Sequence, residues 1–163
     1  MNDRRCPECG SLLENVTECR EYLNEMVKWD FEDFTGVGRV HHLTVLSYNL
    51  QHPSVYSPKG LEDAKGSLKE FLANPESFKE HDARNRRTLS SDARDWKITG
   101  TLEDHAKYSM MPQWTITASD VVKGGLPNYV ENVKKWAESV RESLAVSSNL
   151  TQGSSGVAPQ RQA

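Results

Sequence analysis

The stretch CPECG at residues 6–10, followed by one further cysteine at Cys19, constrains this chain more than any other feature. Two cysteines separated by two residues can aim both sulfurs at one ion. Gly10 frees the backbone just after the second, letting amides point back at a sulfur. A purely disulfide reading leaves one thiol over, because the chain has three cysteines. A thioredoxin-like redox pair follows a strand and opens a helix within a βαβ unit, yet only MNDRR precedes Cys6. That N-terminal stretch carries no apolar leader, so a cytoplasmic, reducing compartment is expected, where such thiols bind metal more often than they pair. Zn²⁺ is the ion that best suits thiolates there, usually with four tetrahedral ligands.

Composition narrows the setting. A chain of 163 residues supports one domain with a real core. Hydrophobic residues make up 36%, in runs of only a few, so no segment is expected to span a bilayer. The net charge of −3 argues against a general nucleic-acid binder. Arg84, Arg86, Arg87 and Arg94, with Trp96 and Lys97, form a local basic cluster. Glu80, Asp82, Asp92 and Asp95 interleave with it, as on a solvated, salt-bridged surface.

Helical periodicity dominates the rest. Leu23, Met26, Val27 and Phe31 predict a first helix over about residues 18–31, with Thr17 as its cap. Gly36 and Gly38 break the pattern, and VHHLTVLSYNLQ predicts a second helix over 40–51, stopped by Pro53. Ser57-Pro58 reads as a cap and first helical position, opening a third helix that ends near Asn74-Pro75. From 76 to 116 the signal is irregular, with weak strand patterns in DWKITGTL and PQWTITASD. Thr117-Ala-Ser-Asp120 predicts a short capped helix ending at Gly124-Gly125. Tyr129, Val133, Trp136, Val140 and Leu144 share one face of a last helix that starts at Pro127. The expected fold is therefore mainly α, a small helical bundle with an N-terminal metal-bound cysteine knuckle and an irregular middle. Residues 1–146 form the single domain, and the Ser/Gly/Gln-rich segment 147–163 is expected to be a disordered tail.

The three cysteines need a fourth ligand, and His41, His42, His52, His81 and His105 compete for the place. The first two helices rise roughly 20 Å and ~17 Å, and their short connection lets them pack as an antiparallel hairpin. That arrangement returns His52 to Cys19 and leaves His41 and His42 roughly 16 Å away. The expected ligands are Cys6, Cys9, Cys19 and His52. At the other end of the hairpin, Asp30, Asp33, His41 and His42 offer a second cluster, though without a spacing such as H-E-x-x-H. Residues 41, 44, 48 and 52 share a helix face, so His41, Thr44, Tyr48 and His52 can form one polar strip.

CPECG, Cys19 and the block GRVHHLTVLSYNLQHPS together resemble an uncharacterised bacterial family of unknown function. Its members carry a CPxCG knuckle and a block close to V-H-x-L-T-V-D-A-Y-A-x-Q-H-P. WTITASDVV and VKKWAESVRESL resemble its C-terminal part, so the likeness reaches from Cys6 to about Leu144. The family pattern falls on Cys6, Cys9, Cys19, His41, Tyr48, Gln51 and His52. Leu46 stands where an aspartate is expected, and Ser67 about where relatives have a histidine. If those positions line a catalytic site in relatives, this chain lacks part of it.

The expected function is that of a zinc-binding protein with a structural Cys₃His site. It would serve as a binding or regulatory module for a protein or small-molecule partner, with neither nucleic acid nor membrane as its target. The competing expectation is a small metal-dependent, hydrolase-like enzyme using the His41/Tyr48/His52 face.

Overall fold

The computed structural model describes residues 3–32, 37–77 and 96–153. Among them are five α-helices: α1 (Arg20–Glu32), α2 (His41–Gln51), α3 (Pro58–Ala73), α4 (Ala118–Lys123) and α5 (Tyr129–Gly153). Short 3₁₀ turns occupy Val37–Val40, Pro53–Val55, Pro75–Ser77 and Leu126–Asn128. The architecture is mainly helical. Among the described residues the β pairing is confined to two isolated bridges, Arg5–Leu12 and Tyr56–Thr99. PQWTITASD forms no strand, and DWKITGTL contributes only Thr99 to a bridge.

The local signals act as the sequence implies. Ser57 caps α3, its Oγ accepting from the Gly60 amide at 3.0 Å, with Pro58 at the first helical position. Asp120 accepts from the Thr117 amide at 2.8 Å and closes the capping box of α4. At α1 the amides of Thr17 and Glu18 instead converge on Glu21 Oε1, at 2.6 and 3.2 Å, and the helix opens at Arg20.

The last helix outruns its apolar pattern. It continues to Gly153, so the segment from 147 begins as helix where a disordered tail was expected. Ser148 and Thr151 donate back to the carbonyls of Leu144 and Ser147, and Ser147 also donates to Met110 O at 3.2 Å. Residues 154–163 lie outside the described residues.

α2 is the centre of the bundle and packs against α1, α3 and α5. It buries Leu43, Thr44, Ser47, Tyr48, Leu50 and Gln51, more than one face of its surface. A helix enclosed in this way shows little amphipathic contrast, and most of its polar side chains find partners inside, the Ser47 hydroxyl being the exception among the described residues. Gln51 does so twice: its Nε2 donates to Ile116 O at 2.7 Å, and its Oε1 accepts from Trp136 Nε1 at 3.2 Å. α5 presses Tyr129, Val133, Trp136, Ala137 and Val140 into the core, all fully buried. α1 and α2 run antiparallel. His41 at the start of α2 meets Asp30 near the end of α1, while His52, just past α2, returns to the cysteines near the start of α1.

A seam joins the start of α3 to the irregular middle. Ser57 N donates to Ile98 O, Gly100 N to Val55 O, and Ala106 N to Tyr56 O, at 2.8, 3.1 and 2.8 Å. A Cβ at Gly60 would lie 2.3 Å from the Ile98 carbonyl oxygen, a backbone atom that cannot swing aside. Alanine ordinarily favours a helix over glycine by about 1 kcal/mol. Here the clash wins, and Gly60→Ala is expected to cost about 1–3 kcal/mol. Urea melts of the two proteins measure the sign directly.

Candidate metal centre

The first dozen residues have little apolar bulk of their own, so the loop must be held by its backbone and by what it grips. Gly10 takes φ +74°, a left-handed conformation that favours glycine. The turn lets Gly10 N donate to Cys6 O and Cys6 N to Ser11 O, each at 2.9 Å. Ser11 N points back at Cys9 Sγ at 3.4 Å, the amide-to-sulfur contact that stabilises a thiolate. Two further ties fix the loop to the bundle. Tyr22 of α1 donates its hydroxyl to Leu12 O at 2.8 Å and accepts from Glu14 N at 3.2 Å. Glu8 accepts from the Ser54 amide at 3.1 Å.

These ties bring Cys6, Cys9, Cys19 and His52 together, with one donor atom from each and all four atoms within 4.8 Å of one another. Cys9 and Cys19 sulfurs lie 3.6 Å apart, and Cys6 Sγ is 3.4 Å from His52 Nε2. A disulfide requires about 2.05 Å, and the three thiols are free. A tetrahedral ion with bonds of about 2.3 Å to sulfur and 2.0 Å to nitrogen spaces its ligands by about 3.8 Å and 3.5 Å. The observed separations fall close to both. The group could hold a metal ion, and its residues are 4–8% exposed, so four protein donors would enclose that ion.

His52 is oriented for this task. Its Nδ1 lies 2.6 Å from Tyr48 O, which as an acceptor places the proton on Nδ1 and leaves the Nε2 lone pair facing the sulfurs. The Tyr48 ring stacks on the imidazole at 4.0 Å between centroids and 19° between planes. Burial, the largest influence, works against an imidazolium at His52. Hydrogen bonds with Cys6 and Cys9 outweigh it and push the group up to about 10. Hydrogen bonding from Cys19 and Cys9 draws Cys6 far below the usual thiol range, and the Cys6 contact in turn raises Cys19. Cys6 and Cys19 therefore titrate as one coupled pair rather than as two independent thiols. Burial, then the nearby sulfurs, raise Tyr48 and keep its phenol neutral.

The other sequence candidates separate. His41 leaves the polar strip and pairs through Nδ1 with Asp30 Oδ2 at 2.7 Å, eleven residues before His52. His42 and Phe71 stand edge to face with ring centroids 4.9 Å apart, and His105 meets Ala106 O at 3.0 Å. Of the second cluster, only Asp30 and His41 come together among the described residues. Asp33, His81, Arg84, Arg86, Arg87 and Arg94 lie outside those residues. Lys59 caps the Trp96 ring, at 5.2 Å. Sequence reasoning missed two polar roles. Tyr22 clamps the knuckle, and Tyr129 spends its hydroxyl on Asp30 at 2.9 Å although periodicity marks it only as an apolar-face residue.

Among the described residues no helix is long and apolar enough to cross a membrane. No curated protein matches the chain, and no solved structure matches it. One family model does match, over residues 4–145, a span that contains all four candidate ligands. The chain belongs to the family of unknown function DUF5946.

Proposed function

We propose that the chain is a zinc protein whose Cys₃His site is structural, and that it works as a binding or regulatory module in a reducing compartment. The observation that carries this reading is the enclosure of four donors within 4.8 Å, three of them sulfur. Three thiolates and an imidazole are the donor set that zinc prefers over magnesium, calcium or manganese. A site closed by four protein ligands has no open position for substrate, so its first task is to hold the fold. It joins three parts of the chain: the knuckle, the start of α1 and the end of α2. The partner we infer is a protein or small molecule rather than nucleic acid. Against a metal-dependent hydrolase built on one His41/Tyr48/His52 face stands the separation of its members: His41 pairs with Asp30, while Tyr48 stacks on His52 beside the cysteines.

Elemental analysis of purified protein tests the reading. Close to one zinc per chain is expected, with occupancy lost or sharply reduced in Cys19→Ser and in His52→Ala. Full occupancy in His52→Ala would overturn the closed site and return an open, catalytic centre to consideration.

A further inference from the structure

A second polar constellation lies at the opposite end of α2, independent of the cysteines. Asp30 is a carboxylate with a side chain only 1% exposed. It accepts from Tyr129 Oη at 2.9 Å through Oδ1, and meets His41 Nδ1 at 2.7 Å through Oδ2. Tyr129 has one proton and gives it to Asp30, so at the 2.7 Å contact it accepts from Thr44, whose own single proton is shared with the Val40 carbonyl at 3.2 Å. The chain of donors runs from Thr44 to Tyr129 to Asp30, with His41 arriving from the other side. Three helices converge on one buried carboxylate.

A carboxylate on Nδ1 fixes both the ring and its tautomer, leaving Nε2 with a lone pair. The His41 side chain is 40% exposed, so the imidazole bridges the buried network and solvent. Beside it the Phe31 ring is 72% exposed, with its centroid 5.6 Å from that of His41. An apolar ring left in water next to an oriented nucleophilic nitrogen suits a substrate with an apolar group next to its reacting carbon. The carboxylate directly behind the imidazole disfavours an anionic substrate such as a phosphate ester, because like charges repel. A neutral acyl compound meets both conditions.

We propose that His41, oriented by Asp30, is the nucleophile of a site that transfers the acyl group of a neutral, activated ester to water. Nε2 adds to the carbonyl carbon, and the carbon–oxygen bond breaks to release the alkoxide or phenolate. The N-acyl imidazolium is stabilised by Asp30, which accepts the Nδ1 proton's hydrogen bond throughout. Water then attacks the acyl carbon, the carbon–nitrogen bond breaks to return neutral His41, and the proton that water loses passes through solvent to the released alkoxide or phenolate. The net change is ester plus water to carboxylic acid plus alcohol, with no redox partner. His41 is the catalytic residue, and Asp30 and Tyr129 position it.

p-Nitrophenyl acetate and the full-length, metal-loaded protein supply the test. Nitrophenolate release is expected at least tenfold faster than with an equal concentration of free imidazole. His41→Gln is expected to abolish that excess, whereas His42→Gln and His105→Gln leave it intact. Asp30→Asn is expected to lower kcat tenfold or more in protein whose helical signal and metal content match the wild type, controls that separate positioning from structural loss. Labelling of the wild type with diethyl pyrocarbonate avoids any variant that fails to fold, and His41 is expected to be the fastest histidine to react. A hydrolysis rate unchanged in His41→Gln overturns the proposal. So does labelling of His41 no faster than of His42 and His105.

Discussion

Chelation of the metal from the loaded protein is expected to lower its melting temperature by about 10–20 °C and to open the knuckle. Structural zinc contributes on the order of 10–16 kcal/mol of apparent binding free energy in small zinc-finger peptides. A domain of this size has a total stability of only about 5–15 kcal/mol. Most of the core does not touch the site, and the contacts of α2 with α3 and α5 remain without it. A loss of roughly 5 kcal/mol is therefore expected, and at about 2–4 °C per kcal/mol this gives the stated shift. The loss should concentrate in residues 4–19, where hydrogen exchange after chelation ought to accelerate most. Acid should act as chelator does. The liganding forms are thiolates and neutral imidazole, so protons compete with metal and release follows a fall in pH. Against burial, hydrogen bonds to the cysteines favour the imidazolium of His52, and ordinary thiols are protonated at neutral pH, so loading must displace protons from this cluster. Calorimetry in buffers of different ionisation enthalpy should count at least two protons released per ion. A metal-free protein with an unshifted melting temperature would remove the structural role.

Trp136→Ala is expected to be the most damaging single change outside the metal site. The indole is fully buried, and truncating such a residue costs about 3–5 kcal/mol through lost transfer energy and the cavity left behind. A second cost comes from its nitrogen. Trp136 Nε1 is the donor to Gln51 Oε1, and without it the amide oxygen is left buried and unpaired, at about 1–3 kcal/mol. The sum approaches the whole stability of the domain. Trp136→Phe should lie between the two, since it restores much of the volume and leaves only the amide orphaned. Urea melts that place Trp136→Ala within about 1 kcal/mol of the wild type would contradict this account of the α2–α5 contact.

The cysteine site was legible because two strong local rules meet there. CPECG and Cys19 fix three donors by type and spacing, and helix rise in an antiparallel hairpin then selects His52 over His41. The helices were legible for a similar reason: caps such as Ser57-Pro58 and TASD are local, and apolar periodicity is a property of one segment. What escaped depends on distant partners. The stretch from 96 to 116 has no period because single bonds place it, such as those from Gln51 Nε2 to Ile116 O and from Tyr108 Oη to Leu50 O. Tyr129 reads as one more apolar-face residue, and only the arrival of Asp30 from α1 gives its hydroxyl a use. The extension of α5 to Gly153 escaped because its last turns bury no apolar face, Val146 and Leu150 being more than half exposed.

The placement of the four donors along the chain sets an order in which the molecule can assemble. Cys9 and Cys19 are 10 residues apart, whereas 46 residues separate Cys6 from His52. Closing a short loop costs less chain entropy than closing a long one. A nascent chain can thus present three thiolates to an ion before either long helix has found its neighbour. The histidine joins only once α2 has folded back along α1. The last bond to the metal would then act as a latch, formed when the hairpin closes and holding it shut from that moment.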